Sequence, residues 1–329
     1  MNVVTLTMNP AIDVSTSIAR LVPVHKLRCS TERRDPGGGG INVARVVTRL
    51  GADVRALYPV GGPIGQLLRR LVDRERISSL AIEVSGETRE DLAVFDEASG
   101  AQYRFVLPGP RLAEAEWQQC LEVVSSLRGE PGLIVASGSL PPGVPADFYG
   151  RLARLAKNMG ARLVLDTSGE PLASALEEGV YLVKPSLSEL AGLTRTPLEE
   201  PGSQIEACLK LVRGKRAEIV ALTLGDQGAL LVTRDRAWRA APLRIEAVSS
   251  VGAGDSFLGG MIWSLASGHS LEDALRYGVA AGSAAVLAHG TELCHAEDVR
   301  RLHPLVEISA FDVPAAHVDL HDDKASAIP

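Results

Sequence analysis

The run from Ser249 through Ser250, Val251, Gly252, Ala253, Gly254, Asp255 and Ser256 to Phe257 carries the residue types of an anion site with an acid beside it. Leu243 to Val248, just before it, is apolar at alternate positions and predicts a strand. Phe257, Met261 and Leu265, just after it, recur with the spacing of a buried helix stripe. Gly252 to Asp255 is therefore a strand-to-helix turn. Its glycines let the backbone turn tightly, and the unpaired N–H groups of the helix start point outward as an anion site. Asp255, in the first helical turn, is placed to take a proton from a hydroxyl while those N–H groups offset charge on a transferring group. The plainer alternative is that Asp255 only favours the helix start and the glycines only make the turn.

A second stretch with chemical potential is Pro36 followed by Gly37, Gly38, Gly39 and Gly40, then Ile41, Asn42, Val43, Ala44 and Arg45. Consecutive glycines are costly in backbone entropy and suit a close approach of the backbone to a ligand, the alternative being a flexible linker. Val43, Val46, Val47 and Leu50 then continue as an amphipathic helix that Gly51 ends. Asn42, in its first turn, can offer an amide to a sugar hydroxyl. Asp13 lies just past a first strand, Val3 to Thr7, where α/β proteins place substrate contacts, and it reads equally as a turn residue. Arg89 and Arg104 carry the donor fork that matches a phosphate, although most surface arginines bind nothing. Lys184 can meet a phosphate and Glu189 can act through a Mg²⁺-bound water; both can also be ordinary surface charges.

The elements that must position these residues follow from the patterning. Strands are expected at Val54 to Val60, Leu133 to Ala136, Arg162 to Leu165, Tyr181 to Lys184, Ile219 to Leu224 and Ala229 to Thr233. Helices are expected at Gln66 to Asp73, Phe148 to Met159, Ile205 to Arg213 and Glu272 to Ala288. Alternation of the two implies an α/β fold with a mostly parallel sheet covered on both faces, its glycine turns and acids at strand C-terminal ends. Thr88 to Val94 and Gln102 to Leu107, joined at Ala98 to Gly100, form a hairpin. With the polar excursion 15–35 it makes a small separate β-sheet, a lid. One domain is expected over 1–308, and a loose tail over 309–329.

Bulk properties exclude several classes. The chain has 329 residues, 46% hydrophobic, enough for a large core. A net charge of −6 argues against a nucleic-acid or anionic-membrane surface. The cysteines (Cys29, Cys120, Cys208, Cys294) are far apart and form no CxxC pair, which suits reduced thiols in a cytoplasm. No basic n-region, no long apolar run and no histidine ligand spacing point to a signal peptide, a membrane span or a zinc site. The GxxxxGK[ST] loop and an opening GxGxxG are absent, so neither a P-loop nor a dinucleotide fold is expected.

Two of these stretches, Gly37 to Arg45 and Ser250 to Gly260, together resemble the signatures of the ribokinase-like PfkB sugar kinases, over roughly residues 1–308. Lys26 to Cys29, Gln102 to Val106, Gly138 to Val144, Gly228 to Leu230 and Gly278 to Ala285 are most similar to the 6-phosphofructokinase group of that family. The resemblance implies an ATP- and Mg²⁺-dependent kinase for fructose 6-phosphate in glycolysis. The 1-phosphofructokinase and tagatose-6-phosphate kinase groups are the alternative, and a non-catalytic sugar- or nucleotide-binding relative is the competing class. By resemblance, Asp255 is the base and Gly252, Ala253 and Gly254 the anion hole. Asp13, Gly38, Gly39, Asn42, Arg89 and Ser139 hold the sugar phosphate, with Lys26 reaching a neighbouring subunit's substrate across a homodimer built through the lid. Lys184, Ser186, Thr223, Leu224, Gly225, Asp226, Gln227, Gly228 and Ser283 line the ATP site. Glu189 belongs to a Mg²⁺-associated Asn-x-x-Glu motif, and a K⁺ site lies near Ser249, Val251, Ala285, Ala288 and Gly290. Two positions depart from the pattern. Ser186 stands where the family usually has Asn, and Gly39 where the 1-phosphofructokinase and tagatose groups typically have Lys.

Overall fold

Apolar runs that are buried on both faces demand two layers of helices, and the chain supplies them. The computed structural model describes residues 2–127, 132–246, 249–288 and 290–313. In chain order the elements begin with β1 (Val3–Leu6), β2 (Ala11–Ile18), β3 (Arg33–Gly37), α1 (Gly39–Arg49), β4 (Val54–Val60), α2 (Gly62–Arg74) and β5 (Ser78–Glu83). There follow β6 (Arg89–Asp96), β7 (Ala101–Phe105), α3 (Glu114–Ser125), β8 (Leu133–Ser137), α4 (Phe148–Asn158), β9 (Arg162–Asp166), α5 (Gly169–Glu178) and β10 (Val180–Val183). The last part holds α6 (Leu187–Thr194), α7 (Pro201–Arg213), β11 (Ala217–Thr223), β12 (Ala229–Val232), β13 (Arg236–Ala240), α8 (Ala253–Ala266), α9 (Leu271–Val286), α10 (Ala296–Leu302) and β14 (Ile308–Asp312).

Ten strands form the large sheet in the order β14-β13-β12-β11-β10-β9-β8-β1-β4-β5. The pairs from β5 to β11 are parallel, and those from β11 to β14 antiparallel. Successive residues of β8 face opposite cores: Leu133 and Val135 join the cluster that includes α1, α8 and α9, while Ile134 and Ala136 join the one with α3, α4 and α7. That alternation between two buried faces is why these strands read as continuous apolar runs.

Helix α8 is wedged between two others. An added Cβ at Gly259 would fall 2.6 Å from Val46 of α1, and one at Gly260 would fall 2.5 Å from the Tyr277 carbonyl of α9. Both glycines therefore let helix backbones approach closely. The flanking Phe257, Leu258, Met261 and Ile262 are buried, each contributing roughly 1.5–3 kcal/mol by removal from water.

The lid is a separate four-stranded sheet, ordered β3-β2-β6-β7. Its hairpin β6–β7 is antiparallel, as the alternation predicted. Three expectations need correction. The lid begins at Ala11, so Asp13 lies on lid strand β2 and not on a loop beyond the first core strand. Leu243 to Glu246 form no strand, and 247 and 248 lie outside the described residues. Paired structure also continues past 308, because β14 runs antiparallel to β13 as far as Asp312; residues 314–329 lie outside the described residues. Among the described residues, no helix is long and apolar enough to cross a membrane.

Candidate active site

Neighbouring strands of the large sheet deliver a row of polar residues at their C-terminal ends. Thr7 follows β1, Ser137 ends β8, Asp166 ends β9, Lys184 follows β10 and Thr223 ends β11. Two helix N-termini, those of α1 and α8, lie over this edge.

The glycine run sets the first of them. Gly38 is the N-cap of α1 at φ 105, a conformation that favours glycine, and an added Cβ would fall 2.6 Å from Thr7. At Gly39 an added Cβ would fall 2.2 Å from the Ser137 hydroxyl. The first turn of α1 thus rests directly on the ends of β1 and β8. The second N-terminus is capped by Gly252 at φ 73, and Gly254 stands exposed in the turn that follows. The Ala253 N–H donates to the Ser250 carbonyl at 3.5 Å, while the backbone at the exposed Gly254 stands open to a ligand.

Asp255 sits between the two. The Asn42 side-chain amide donates to its Oδ2 over 2.8 Å. Burial first, then the nearby Asp166 charge, push the Asp255 carboxyl from 3.8 up to about 6, against the Asn42 hydrogen bond and the Lys184 and Arg104 charges. Asp13 is pushed further, to about 7, by burial and by Asp91, which is paired with it in register across the lid. Arg104 and Arg45 oppose that shift. Two carboxyl groups that titrate near neutrality, beside an anion site, form a region able to accept a proton from a hydroxyl.

Lys184 is buried and pairs with Asp166 at 3.1 Å. Burial disfavours its charge, yet Asp166, Glu189 and Asp255 outweigh that and hold the ammonium above its ordinary range. An added Cβ at Gly254 would lie 3.7 Å from Lys184 Nζ, so the cation stands beside the anion turn.

On the far side of α8 a cleft of about 880 Å³ opens, a size suited to a nucleotide. Ser186, Thr223, Leu224, Gly225, Asp226, Gly228 and Ser283 line it together with Ala253 and Gly254. Of the expected nucleotide residues, Lys184 and Gln227 do not. Apolar Leu198, Leu243, Ile245 and Val279 complete the walls. The alternation at Leu243 and Ile245 is thus a cleft lining, not a strand. Ser186 and Glu189 form a reciprocal cap on α6: the Ser186 N–H donates to Glu189 Oε2 at 2.7 Å, and the Glu189 N–H to Ser186 Oγ at 3.3 Å.

On the lid side, Arg89 donates to the carbonyls of Leu107 and Asn9 and pairs with Asp91. Asn9 also donates to Ser139 at 3.1 Å, which ties two of the expected phosphate residues together. Lys26 stands exposed in the loop between β2 and β3, away from these contacts. Near the start of α8, Ser249 Oγ lies 3.2 Å from the Gly290 carbonyl, and the Ser249 N–H donates to the Val286 carbonyl. This brings the segment holding Ser249 and Val251 against the one holding Ala285, Ala288 and Gly290. The sequence reading gave Arg104 only the phosphate-matching fork it shares with Arg89 and did not place it beside the carboxylates, although strict alternation along β7 was the available signal: Tyr103 and Phe105 face outward, so Arg104 faces the carboxylates.

A mostly parallel sheet between two helix layers, with a small β-sheet over the C-terminal edge and a carboxylate at a helix N-terminus, is the ribokinase-like fold. Arabidopsis thaliana ribokinase shares that fold at 20% identity, with a TM-score of 0.73 over 92% of this chain and 98% of its own. The family model described as pfkB family carbohydrate kinase matches residues 2–298, and the chain belongs to this family. It is 43% identical to the ATP-dependent 6-phosphofructokinase isozyme 2 of Mycobacterium tuberculosis, over 92% of this chain and 89% of that protein. Identity to the Escherichia coli protein of the same name is 41%, over 92% and 98%. The crystal structure of phosphofructokinase-2 from Escherichia coli in complex with potassium superposes with a TM-score of 0.89 at 41% identity, covering 92% and 98%.

Proposed function

We propose that this protein is an ATP-dependent 6-phosphofructokinase that transfers a phosphoryl group to the carbon-1 hydroxyl of fructose 6-phosphate. The observation that carries this reading is the position of Asp255. It lies between the sugar-side residues Asn42 and Asp13 and the mouth of the 880 Å³ cleft that Gly254 also lines. The relatives named for this activity support the choice of substrate.

In this reading Asp255 takes the carbon-1 hydroxyl proton. The new O–P bond forms at that oxygen, the bond between the γ-phosphorus and its bridging oxygen breaks, and ADP leaves. Backbone N–H groups from Gly252 to Gly254 and the Lys184 ammonium offset the charge on the moving group. Asp13, Gly38, Gly39 and Asn42 hold the sugar, and Arg89, Ser139 and a neighbouring subunit's Lys26 its phosphate. The cleft residues, with Gln227, hold the nucleotide.

Among the described residues, no group of three or more His, Cys, Asp or Glu side chains is placed to hold a metal. Glu189 would hold Mg²⁺ through a water, the remaining coordination coming from nucleotide phosphates and waters, as is usual for this ion. The ion supplies charge neutralisation when bound. Glu189 Oε2 already accepts from Ser186, which leaves Oε1 for that role. Ser249 and Val251 on one segment, with Ala285, Ala288 and Gly290 on the segment tied to it, would hold a K⁺ ion mostly through carbonyl oxygens. A homodimer through the lid is supported by its outward apolar side chains, with Tyr103, Phe105 and Val106 40%, 49% and 60% exposed. Four free cysteines fit a cytoplasmic setting, and the proposed reaction is a glycolytic one.

Gly39 favours a 6-phosphate substrate. The Lys typical of the 1-phosphofructokinase and tagatose groups has no room for even its Cβ against Ser137. Measuring ADP release with fructose 6-phosphate, fructose 1-phosphate, tagatose 6-phosphate and free fructose tests the assignment. The highest kcat/KM is expected for fructose 6-phosphate. A preference for another ketohexose phosphate would move the assignment within the family, and no turnover with any would leave a binding protein.

A further inference from the structure

Arg45 closes the glycine signature, yet the proposed chemistry gives it no role. It is fully buried. Its Nε and Nη2 lie 3.0 and 2.9 Å from Glu75 Oε1, and Nη2 lies 3.3 Å from Asp35 Oδ1. Its Nη1 donates to the Pro36 carbonyl at 3.0 Å and to Asn42 Oδ1 at 3.3 Å. Four of its N–H groups thus donate to acceptors, and Nη2 is also ion-paired with Glu75. Asp35 is itself fixed by the Thr291 hydroxyl at 2.7 Å, and Glu75 by Arg49 at 2.9 Å.

A guanidinium only donates hydrogen bonds. The Asn42 side chain must therefore turn its oxygen to Arg45, and its NH₂ is left facing Asp255 Oδ2, where it is found. If the amide were reversed, two donors would meet at Arg45 and two acceptors at Asp255. We infer that Arg45 is a positioning residue: it fixes the sense of the Asn42 amide, so that Asp255 Oδ2 is always occupied by a donor and Oδ1 is presented to the substrate hydroxyl. This inference rests on Asp255 acting as the base.

The consequence is a coupling between Arg45 and the ionisation of Asp255, which Arg45 does not touch. Asp255 is also faced by Asp166 from β9, Lys184 after β10, Arg104 from β7 and Asp13 from β2. Arg45 also opposes the upward shift of Asp13 by its charge, so the substitution chosen at 45 keeps that charge, and the comparison with Asn42→Ala, which leaves Arg45 in place, isolates the amide.

The test is the pH profile of kcat for wild type, Arg45→Lys, Asn42→Ala and the double variant, with thermal melting alongside. Lysine keeps the buried charge but lacks the fork. Arg45→Lys is expected to move the acid limb to higher pH, as Asn42→Ala does, with kcat lower by on the order of ten- to a hundred-fold. The double variant should move the limb no further than Asn42→Ala alone. A lower melting temperature with the limb unmoved, or additive shifts in the double variant, would overturn the inference and leave Arg45 a structural residue. If Arg45→Lys does not fold, Asn42→Asp decides. Held by Arg45, the new carboxylate would face Asp255 and move the limb up further than Asn42→Ala; an equal or smaller shift rejects the inference. Asp255→Asn separates the two levels. If that variant keeps its turnover, Asp255 is not the base, and both the functional reading and this inference fall. If it is inactive and the Arg45→Lys limb is unmoved, only the inference falls.

Discussion

Asn42 donates to Asp255 over 2.8 Å across a sequence separation of 213 residues. Each occupies the first turn of its own helix, α1 and α8, so the bond measures how closely those two helix starts are held. The close packing is made at Gly259, whose missing Cβ leaves Val46 2.6 Å from where that atom would be.

Gly259→Ala should wedge α8 away from α1. Overpacking of this kind costs about 1–3 kcal/mol, and it should also lengthen the bond at Asp255 and lower kcat. Val46→Ala in the same chain removes the obstructing branches and should recover part of both losses. Melting curves and turnover of the single and double variants check this. Recovery of stability without recovery of turnover would disconnect the packing from the site.

Asp255→Asn keeps shape and polarity but cannot accept a proton. General-base loss costs on the order of 10² to 10⁴ in rate, so turnover should fall by at least the low end while fructose 6-phosphate binding, measured by calorimetry, changes little. Near-native turnover would remove Asp255 from the chemistry.

The same carboxyl groups have a pH signature in stability. Asp13 ionises near 3.8 in an unfolded chain and at about 7 in the folded one. Between those values the folded protein keeps a proton that the unfolded chain has lost. The stabilising contribution of that group is therefore fully present below pH 3.8 and is lost as pH rises through about 7. At 1.36 kcal/mol per unit, the cost of holding Asp13 charged above pH 7 is on the order of 4 kcal/mol. Asp13→Asn should raise the melting temperature at pH 8 and have little effect near pH 4, while sugar binding weakens. An equal effect at both values would show that Asp13 is not raised.

Local patterns made the strands and glycine turns legible, because parallel strands buried on both faces and tight turns leave marks within a few residues. Edge strand β5 left little mark, since only Ile82 of its residues is buried. Leu243 and Ile245 misled, because apolar alternation is produced equally by a cleft wall and by a sheet face. The Asn42–Asp255 bond and the Arg45 contacts had no local sign at all. They exist only once α1 lies against α8, with lid strand β3 and the end of α2 beside α1.

The lid carries the remaining prediction. Arg104 faces Asp13 and Asp255 from β7, whereas Lys26 stands exposed on the loop between β2 and β3. The outward apolar side chains of β6 and β7, Leu92, Tyr103 and Phe105 among them, favour a partner lid over water. If the partner is a second copy, Lys26 of one chain serves the phosphate at the other chain's Asp255. Lys26→Ala chains and Asp255→Asn chains should then each be poor enzymes alone. Mixed and allowed to exchange, they form hybrid dimers in which one site has an intact Asp255 and receives an intact Lys26. Activity in isolated hybrids, separated by distinct tags, should approach half that of wild type, with fructose 6-phosphate KM restored. Hybrids no more active than their parents would place Lys26 outside the shared site, even if the lid still pairs two chains.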